Sequence, residues 1–377
     1  LWFDHRKCNI CHKFIFFIKS SKIIILIKTY SYFFYYFCCP MQEEILKLQE
    51  LITNRKKIVI TTHRGPDGDA IGSSLAMLHL LEIIGHSVSL ITPNNYSTSL
   101  KWLPGNSSII IYEENKTKSE EIIKEAELIF LMDLNHIDRI NGLADPVKNS
   151  KAIKVLIDHH QDPDLTIADI IFSNTKACST AELVYDIFDA MQLNHHINKK
   201  IAECIYVGIM TDTGSFKYQS TTGKTHRIIA KLIDAGVENS KIHDLIYDNC
   251  SINRIKLLGY CLNNKLLLYP KNNSAIISLN ADELEKFNFQ KGDTEGIINY
   301  ALSIKGIMFA VFIAEKDGVT KLSLRSKGNF KINNIAKKYF NGGGHENASG
   351  GTSKLTVNET IKEVENIIET YTNELTN

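Results

Sequence analysis

Residues 63–69 constrain the fold of this chain more than any other stretch of its sequence. The β-branched run at 58–62 before them predicts a buried strand, and the apolar series at 75–81 behind them predicts a helix. Pro66 and Gly68 make the segment between the two a tight turn. One histidine and two aspartates therefore follow the carboxyl end of a strand, where open α/β sheets bind ligands. The alternative is that the second aspartate only caps the helix and the histidine is an ordinary surface residue.

Acidic residues recur at the ends of later apolar segments. The strand predicted at 128–132 ends at Asp133, the strand predicted at 154–157 ends at Asp158, and a largely helical apolar segment ends at Asp212. Strands alternate with helical segments, so the sequence predicts an α/β fold in which helices cover both faces of a parallel sheet. Because the carboxyl ends of parallel strands share one edge, we expect these aspartates to meet the side chains of residues 63–69.

The second half of the chain predicts a smaller α/β unit. Residues 237–262 favour a helical connection, and beyond it helical stretches alternate with short apolar strands. The strands are expected at 266–269, 275–279, 307–313 and 321–324. We therefore expect a metal-binding catalytic domain at 41–236, a helical linker at 237–262 and a substrate-binding domain at 263–377.

The convergence of acidic and histidine side chains predicts a metal site. So many carboxylates at one point would repel one another strongly unless cations were bound. Mixed carboxylate and imidazole ligands favour a hard or borderline divalent metal, with Mn²⁺ ahead of Mg²⁺ or Zn²⁺. Because about six protein ligands exceed what one catalytic metal uses, we expect two divalent ions, Mn²⁺ above all.

The first forty residues differ in composition from the rest of the chain. They hold four of the eight cysteines and twelve aromatic residues, whereas Met41 opens an amphipathic helix. Lys19, Lys22 and Lys28 interrupt the apolar run before it reaches the ~20 residues of a membrane span, and no small-residue cleavage site marks a signal peptide. We interpret residues 1–40 as a non-native or disordered extension, with a membrane anchor as the alternative. A Cys-Asn-Ile-Cys-His run matches the haem-attachment pattern, but a covalent haem would need export and a second axial ligand.

The charge balance argues against a protein that grips long nucleic acid. The chain has 43 basic and 42 acidic residues, and residues 41–377 alone have 37 and 41, a net charge of −4. Binding of long duplexes usually requires a basic excess, because its affinity comes largely from phosphate neutralisation. The cysteines outside the first forty residues show no disulfide framework, so we expect a cytoplasmic protein that is not membrane-bound.

The four acidic segments resemble the four motifs of the DHH phosphoesterase superfamily, whose name is the sequence found here at 158–160. The glycine-rich run at 341–351, with Arg325 upstream, resembles the DHH-associated domain. That form of the domain is found with nanoRNases and phosphoadenosine phosphatases of the NrnA type. The resemblance covers roughly residues 41–360, and its five motifs stand in the right order.

The resemblance implies two metal sites that share one carboxylate. One ion would be held by His63, Asp67 and Asp133. The other would be held by Asp69, Asp133, His159 and Asp212. Catalytic roles would fall to Asp133 as the bridge, to Asp158 as the group that orients a neighbouring histidine, and to His160, which would face the scissile phosphate; the alternative for His160 is a buried structural histidine.

The resemblance also implies a substrate site in the second domain. Consecutive glycines let backbone N–H groups approach a phosphate, and charged side chains beside them add affinity. Without these neighbours, such a run would more often be a flexible turn. The expected substrate-binding residues are Arg325, Gly342, Gly343, Gly344 and His345.

The function implied is Mn²⁺-dependent hydrolysis of short oligoribonucleotides, and of 3′-phosphoadenosine 5′-phosphate, by two-metal hydroxide attack on phosphorus. Two alternatives within the superfamily are a cyclic-dinucleotide (c-di-AMP or pApA) phosphodiesterase and a RecJ-type single-strand exonuclease. A manganese pyrophosphatase would carry a different second domain. The alternative from another class is a membrane-tethered protein that binds nucleotides without turnover. The expected partners are short RNA and nucleotide phosphates as substrates, with a homodimer possible.

Overall fold

The computed structural model describes residues 41–290, 292–316 and 318–376. Helix α1 (Gln42–Leu51) belongs to one compact unit, and the chain from Ile52 onward forms another. The predictions for residues 1–40 lie outside the described residues. Among the helices that are described, none combines the length and hydropathy needed to cross a bilayer.

The first sheet of the second unit has six strands, and every neighbouring pair is parallel. Their order is β3-β2-β1-β4-β5-β6. The strands are β1 (Lys57–Thr62), β2 (Ser87–Thr92), β3 (Ile110–Ile111), β4 (Leu128–Met132), β5 (Ile153–Asp158) and β6 (Ile170–Ser173).

Helices cover both faces of this sheet, because its buried strands are apolar on both sides. Val59 and Ile129 pack with Ile123 and Val147 in one core cluster, while α2 contacts β1 and β2. The predicted α/β class with a helix-covered parallel sheet is confirmed. The helices of this domain are α2 (Gly68–Ile83), α3 (Lys116–Glu125), α4 (Ala144–Asn149), α5 (Thr180–Ala190), α6 (Lys199–Asp212) and α7 (Gly223–Asp234).

The strand order reverses between β1 and β4, and this point places the site. In open α/β sheets the crevice outside the carboxyl ends of the strands at such a reversal binds ligands. His63 follows β1 and Asp133 follows β4, so the two residues stand on either side of the crevice.

A helical connection of α8 (Asn239–Tyr247) and α9 (Ile252–Tyr260) leads to a second α/β unit, as predicted. Its sheet has six strands, two more than the sequence predicts. Its order is β11-β12-β10-β9-β8-β7, with β8 and β9 parallel and the other pairs antiparallel. The strands are β7 (Leu266–Tyr269), β8 (Ser274–Leu279), β9 (Phe309–Lys316), β10 (Val319–Ser326), β11 (Gly343–His345) and β12 (Ala348–Ser353). The helices are α10 (Ala281–Lys286), α11 (Ile297–Ser303), α12 (Asn333–Tyr339), α13 (Val357–Thr370) and α14 (Thr372–Thr376).

The glycine-rich run is a hairpin, which the sequence did not predict. Gly343, Gly344 and His345 form β11, which pairs antiparallel with Ala348–Ser353. Strands usually need β-branched or aromatic residues, and this pair is built largely from glycine, serine and alanine. Strand propensity therefore gives no signal here, although the pairing is regular.

Candidate metal centre

Asp133 lies at the middle of the site. It follows β4 with a φ of 58°, a left-handed conformation that is uncommon for non-glycine residues, although aspartate adopts it more readily than most. Its Oδ2 lies 3.5 Å from Nε2 of His63, and its Oδ1 lies 3.7 Å from Nε2 of His159. The two oxygens of one carboxylate therefore face two different histidines.

Both histidines are held so that Nε2 faces the site. Nδ1 of His63 lies 3.0 Å from the carbonyl oxygen of Arg64, and Nδ1 of His159 lies 3.3 Å from that of Ala177. A carbonyl oxygen can only accept a hydrogen bond, so Nδ1 of each ring must be the donor. Nε2 of each ring therefore keeps its lone pair when the ring is neutral. This is the tautomer that binds metals through Nε2.

Asp69 is almost completely buried, with 1% of its surface exposed. Its two carboxylate oxygens accept the backbone N–H groups of Thr180 at 2.6 Å and Ala181 at 2.9 Å, at the start of α5. The unpaired N–H groups of a helix N-terminus favour a negative charge at this position. The carboxylate is thus fixed in place by a second helix.

Close packing of α2 against α6 brings Asp69 to the site. A Cβ on Gly72 would lie 2.4 Å from the carbonyl oxygen of Cys204, and a Cβ on Gly208 would lie 2.8 Å from Oδ1 of Asp69. Both positions therefore need glycine. Asp212 ends α6, and its Oδ2 lies 3.3 Å from Nε2 of His159.

Asp67 both caps α2 and faces the site. Its Oδ1 accepts the backbone N–H groups of Asp69 at 3.0 Å and Ala70 at 3.1 Å. The capping role considered for Asp69 therefore belongs to Asp67, because Asp69 already lies in the first turn of the helix.

Among the described residues, four groups of side chains could each hold a metal ion, and three of them contain Asp133. Two of these three match the expected metal sites, and the third is Asp133, Asp158 and His160. In each group the ligand atoms lie within 4.8 Å of one another. Carboxylate oxygens and imidazole nitrogens form a donor set suited to Mn²⁺, Mg²⁺ or Zn²⁺. The first group is His63, Asp67 and Asp133, and the second is Asp69, Asp133 and His159.

His160 points into the same region and is oriented by Asp158. Its Nδ1 donates to Oδ1 of Asp158 at 2.7 Å, and its backbone N–H donates to Oδ2 at 3.2 Å. Asp158 is completely buried. The imidazole is therefore held at two points, with Nε2 left for other contacts.

His345 of the glycine hairpin reaches the site from the second domain. Its ring stacks on His160 with centroids 4.8 Å apart and lies 5.0 Å from the ring of His159. The three imidazoles form a further group whose ligand atoms lie within 4.8 Å of one another. The structure thus brings together the six predicted metal ligands, which include Asp133, and the two other predicted catalytic residues, Asp158 and His160. One predicted substrate residue, His345, lies beside them.

Close backbone contacts inside the hairpin require glycine at two of its three consecutive glycine positions, independently of any ligand. A Cβ on Gly342 would lie 2.0 Å from the carbonyl oxygen of Gly350, and one on Gly344 would lie 2.6 Å from that of Ala348. A Cβ on Gly343 would meet no heavy atom within 4 Å, so the space beside this residue is open. Of the three, only Gly343 has room for an approaching group.

Comparison with known proteins assigns the family. Residues 57–209 match the DHH family, N-terminal domain, and residues 272–374 match the DHHA1 domain. The chain is 30% identical over 296 residues to the bifunctional oligoribonuclease and PAP phosphatase NrnA of Bacillus subtilis, covering 78% of this chain and 88% of that protein. This chain belongs to the DHH family.

Two further relatives extend the comparison. An exopolyphosphatase-related protein from Bacteroides fragilis superposes with a TM-score of 0.86 at 40% identity, over 89% of this chain and 98% of that one. The cyclic-di-AMP phosphodiesterase GdpP of Bacillus subtilis is 27% identical over 86% of this chain, which spans about half (49%) of that protein. The protein is therefore a DHH-family metal-dependent phosphoesterase, a hydrolase that acts on phosphoester bonds.

The electrostatics of the DHH domain fit a cation. Burial, then the charges of Asp133 and Asp212, raises the pKa of Asp69 well above its usual range. Burial likewise raises the pKa of Asp212 to about 7, against the opposing effect of His159. Burial also opposes ionisation of Asp133, but the hydrogen bond from His63 and the nearby imidazoles hold its pKa well below the usual range. The protein alone does not neutralise this group of carboxylates, and bound cations would do so.

Sequence reasoning missed two residues at the site. Thr180 donates its hydroxyl to Oδ1 of Asp133 at 2.8 Å, while its backbone N–H holds Asp69. The helix over 180–191 is itself predicted by the sequence, and the Ser-Thr-Ala-Glu capping pattern at 179–182 is the signal that could have drawn attention to Thr180. Arg139 is the second: its backbone carbonyl oxygen accepts the N–H of Arg64, the residue after His63, at 2.7 Å. Burial and the imidazoles of His160 and His159 lower the pKa of His345 to about 3, against the opposing charge of Asp133.

Proposed function

We propose that this phosphoesterase hydrolyses short oligoribonucleotides and 3′-phosphoadenosine 5′-phosphate with two Mn²⁺ ions. One observation carries the proposal: His345 of the DHHA1 domain stacks on His160 of the DHH domain and lies beside the candidate metal ligand His159. The substrate phosphate would then lie between a metal-binding edge and a second domain. The similarity to NrnA over nearly its whole length supports the same substrate class.

In this proposal His63, Asp67 and Asp133 hold one ion, and the second group holds the other. That second group is Asp69, Asp133 and His159, and Asp212 would join it, since its Oδ2 lies 3.3 Å from Nε2 of His159. Divalent ions held by these residues would supply an activated water and stabilise the charge that develops on phosphorus. Asp133 fits the shared position because its two oxygens already face the histidines of different groups.

His160 supplies a proton-handling group at the phosphate. Asp158 accepts a hydrogen bond from Nδ1–H, which fixes the ring and leaves Nε2 to bind or donate a proton at a phosphate oxygen. The imidazole also lies near the metal groups, since its Nδ1 is 3.5 Å from Oδ1 of Asp133. We propose that it acts on the leaving oxygen of the ester.

The DHHA1 domain would bind the substrate. Arg325 on β10 donates one Nη1–H to the carbonyl oxygen of Leu324 at 2.9 Å, which positions the guanidinium and leaves its other donors for a phosphate. The open space beside Gly343 admits a phosphate oxygen to the backbone. With His345, these groups form the substrate side, and Gly342 and Gly344 shape the hairpin that carries them.

One assay panel tests this function. The full chain with Mn²⁺ is given a dinucleotide, a five-residue RNA, 3′-phosphoadenosine 5′-phosphate and cyclic di-AMP in parallel. We expect hydrolysis of the first three, slower turnover of cyclic di-AMP, and loss of all activity with a chelator. Rapid hydrolysis of cyclic di-AMP with none of 3′-phosphoadenosine 5′-phosphate would favour the cyclic-dinucleotide alternative suggested by the likeness to GdpP. Binding of these ligands without turnover of any would refute the enzyme.

A further inference from the structure

The segment that follows Asp212 has an unusual backbone. Gly214, Ser215 and Phe216 are three consecutive residues with positive φ, at 55°, 61° and 67°. L-residues rarely adopt this conformation even singly, and for a bulky residue such as phenylalanine it is a true outlier. Strain of this kind persists only where the surrounding structure enforces it, and it concentrates at functional sites.

Hydrogen bonds hold the strained segment from three sides. The backbone N–H of Phe216 donates to Oγ1 of Thr213 at 3.0 Å, and that of Ser215 donates to the carbonyl oxygen of Met210 at 2.8 Å. The hydroxyl of Ser215 lies 2.8 Å from Nε2 of His243 on α8. The fold therefore enforces a sharp turn directly after a candidate metal ligand.

The turn sends two aromatic rings in different directions. Phe216 packs inward, with its ring 5.7 Å from that of the buried Tyr206 in an edge-to-face arrangement. Tyr218 turns outward and keeps 42% of its surface exposed. A Cβ on Gly214 would lie 2.5–2.8 Å from Cζ and both Cε atoms of Tyr218, so the phenol half of the ring lies against the glycine.

The exposed tyrosine is tied to the residue that follows the candidate metal ligand Asp212. Its backbone N–H donates to the carbonyl oxygen of Thr213 at 3.1 Å. Burial lowers the pKa of the Arg325 guanidinium, and the charges of Tyr218 and Asp212 both act against that shift. The hydrogen bond therefore holds Tyr218 at the end of α6, where Asp212 faces His159.

We infer that Tyr218 is a stacking platform for a nucleobase of the substrate, next to the metal-binding edge at Asp212. The inference rests on the proposed function and adds how the protein distinguishes a nucleotide from a phosphoester that has no base. Aromatic rings bind bases of any identity, because every base has a π-face. A half-exposed tyrosine held at the end of α6, after a candidate metal ligand, matches a nucleotide, in which a base and a phosphate are joined through one sugar.

The test compares two ligands that differ only in the base. AMP and ribose 5-phosphate share the sugar and the phosphate, and their binding to the full chain with Mn²⁺ is measured by calorimetry. In the unchanged protein AMP should bind about five- to a hundredfold more tightly, the range of base–aromatic stacking. Tyr218→Ala should weaken AMP by a similar factor and change ribose 5-phosphate less than about twofold.

Three variants control for structural damage. Tyr218→Phe keeps the ring and should bind AMP as the unchanged protein does, whereas Tyr218→Leu keeps apolar bulk and should resemble the alanine variant. Tyr300→Ala removes a tyrosine of similar exposure, 51%, from α11 of the second domain and should change neither affinity. Equal losses for both ligands, or an unchanged ratio of the two affinities in Tyr218→Ala, would overturn the platform.

Hydrolysis of 3′-phosphoadenosine 5′-phosphate by the same preparations separates the two claims. If the unchanged protein hydrolyses it but AMP binds no better than ribose 5-phosphate, the platform is wrong and the proposed function stands. If the unchanged protein does not hydrolyse it at all, the proposed function fails, whatever the tyrosine does.

Discussion

The two sides of the site are built in opposite ways. On the DHH side three of the candidate metal ligands have internal hydrogen-bond partners: Asp69 accepts two backbone N–H groups, and His63 and His159 each donate to a carbonyl. On the DHHA1 side Gly343 faces open space, and His345 makes its ring contacts with residues of the other domain. The proposed metal-binding side therefore takes its support from within one domain, whereas the proposed substrate side also makes contacts across the two.

This difference assigns different chemistry to each side. A ligand set that is fixed before binding loses little when an ion arrives, and it holds the reacting groups in place. A side whose contacts are made between two domains suits the binding of substrates that must enter and leave. Changes on the DHH side should therefore reduce kcat and metal affinity, and changes on the DHHA1 side should raise KM.

The largest effect should follow loss of the shared carboxylate. Asp133→Ala removes a ligand from both metal groups, so kcat should fall about a thousandfold or more, because charge stabilisation and the activated water are lost together. Steady-state kinetics on a dinucleotide measure this. Asp138→Ala, which removes an exposed carboxylate five residues further on, is the matched control and should keep its activity. A loss of less than tenfold in Asp133→Ala would show that Asp133 does not join the two groups.

A smaller effect of a different kind is expected from Arg325→Ala. It removes a charge-assisted phosphate contact of roughly 1.5–3 kcal/mol, so KM should rise about ten- to a hundredfold with kcat little changed. Arg325→Lys should recover part of the loss, since it keeps the charge but not the planar fork. The kinetics are compared on 3′-phosphoadenosine 5′-phosphate and on a dinucleotide. An unchanged KM on both substrates would remove the DHHA1 domain from the substrate site.

Thr180 tests whether the DHH side depends on its supporting hydrogen bonds. Thr180→Val keeps the shape and the backbone N–H but loses the hydroxyl that donates to Asp133 at 2.8 Å. Loss of a partner that orients a metal ligand typically costs 10–100-fold in affinity, and we expect Mn²⁺ binding to weaken by about tenfold. Thr180→Ser should restore it. Calorimetry measures the Mn²⁺ affinity of both variants. Equal weakening in Thr180→Val and Thr180→Ser would mean that the packing of the side chain, and not its hydroxyl group, supports metal binding.

The smallest effect concerns Asp186, a largely buried carboxyl group on α5, the helix that begins at Thr180. Burial raises the pKa of Asp186 to about 6, against the opposing hydrogen bond from Lys224. Because the folded pKa exceeds the unfolded value of ~3.9, its contribution to stability is present below about pH 4 and is lost as the pH rises through 6. The side chain is 23% exposed, so we expect a change of about 1 kcal/mol rather than the full shift.

Asp186→Asn should therefore flatten the fall in unfolding free energy between pH 4 and 7 by about that amount. Urea unfolding of the metal-free protein at several pH values measures the slope. Asp138→Asn, at an exposed position, should leave the slope unchanged. If Asp186→Asn also left it unchanged, the burial of this carboxyl would carry no cost.

The DHH side could be predicted from the sequence, because its information is local. Each acidic residue follows a strand or helix that the apolar pattern reveals, and the parallel topology brings those ends to one edge. The positions of Asp133 and Asp158 needed no knowledge of distant contacts. The hydrogen bonds that hold Asp69 did require such knowledge, because its partners Thr180 and Ala181 lie more than a hundred residues away in the sequence.

The DHHA1 side was harder to predict for physical reasons. A hairpin of glycine and serine has no strand propensity, so β11 and β12 looked like a loop. The stacking of His345 on His160 depends on how two domains meet, which no local pattern records. The domain boundaries at 41–236, 237–262 and 263–377, and the roles assigned to individual site residues, stay predictions.

The central claim is that two metal ions share Asp133, and counting bound metal tests it most directly. The full chain and Asp133→Ala are titrated with Mn²⁺ by calorimetry, and the bound ions are examined by electron paramagnetic resonance for coupling between neighbouring Mn²⁺ centres. We expect two ions per chain with a coupled spectrum in the unchanged protein, and weaker, uncoupled binding in the variant. One ion per chain in the active protein, or two coupled ions that persist in Asp133→Ala, would contradict the account.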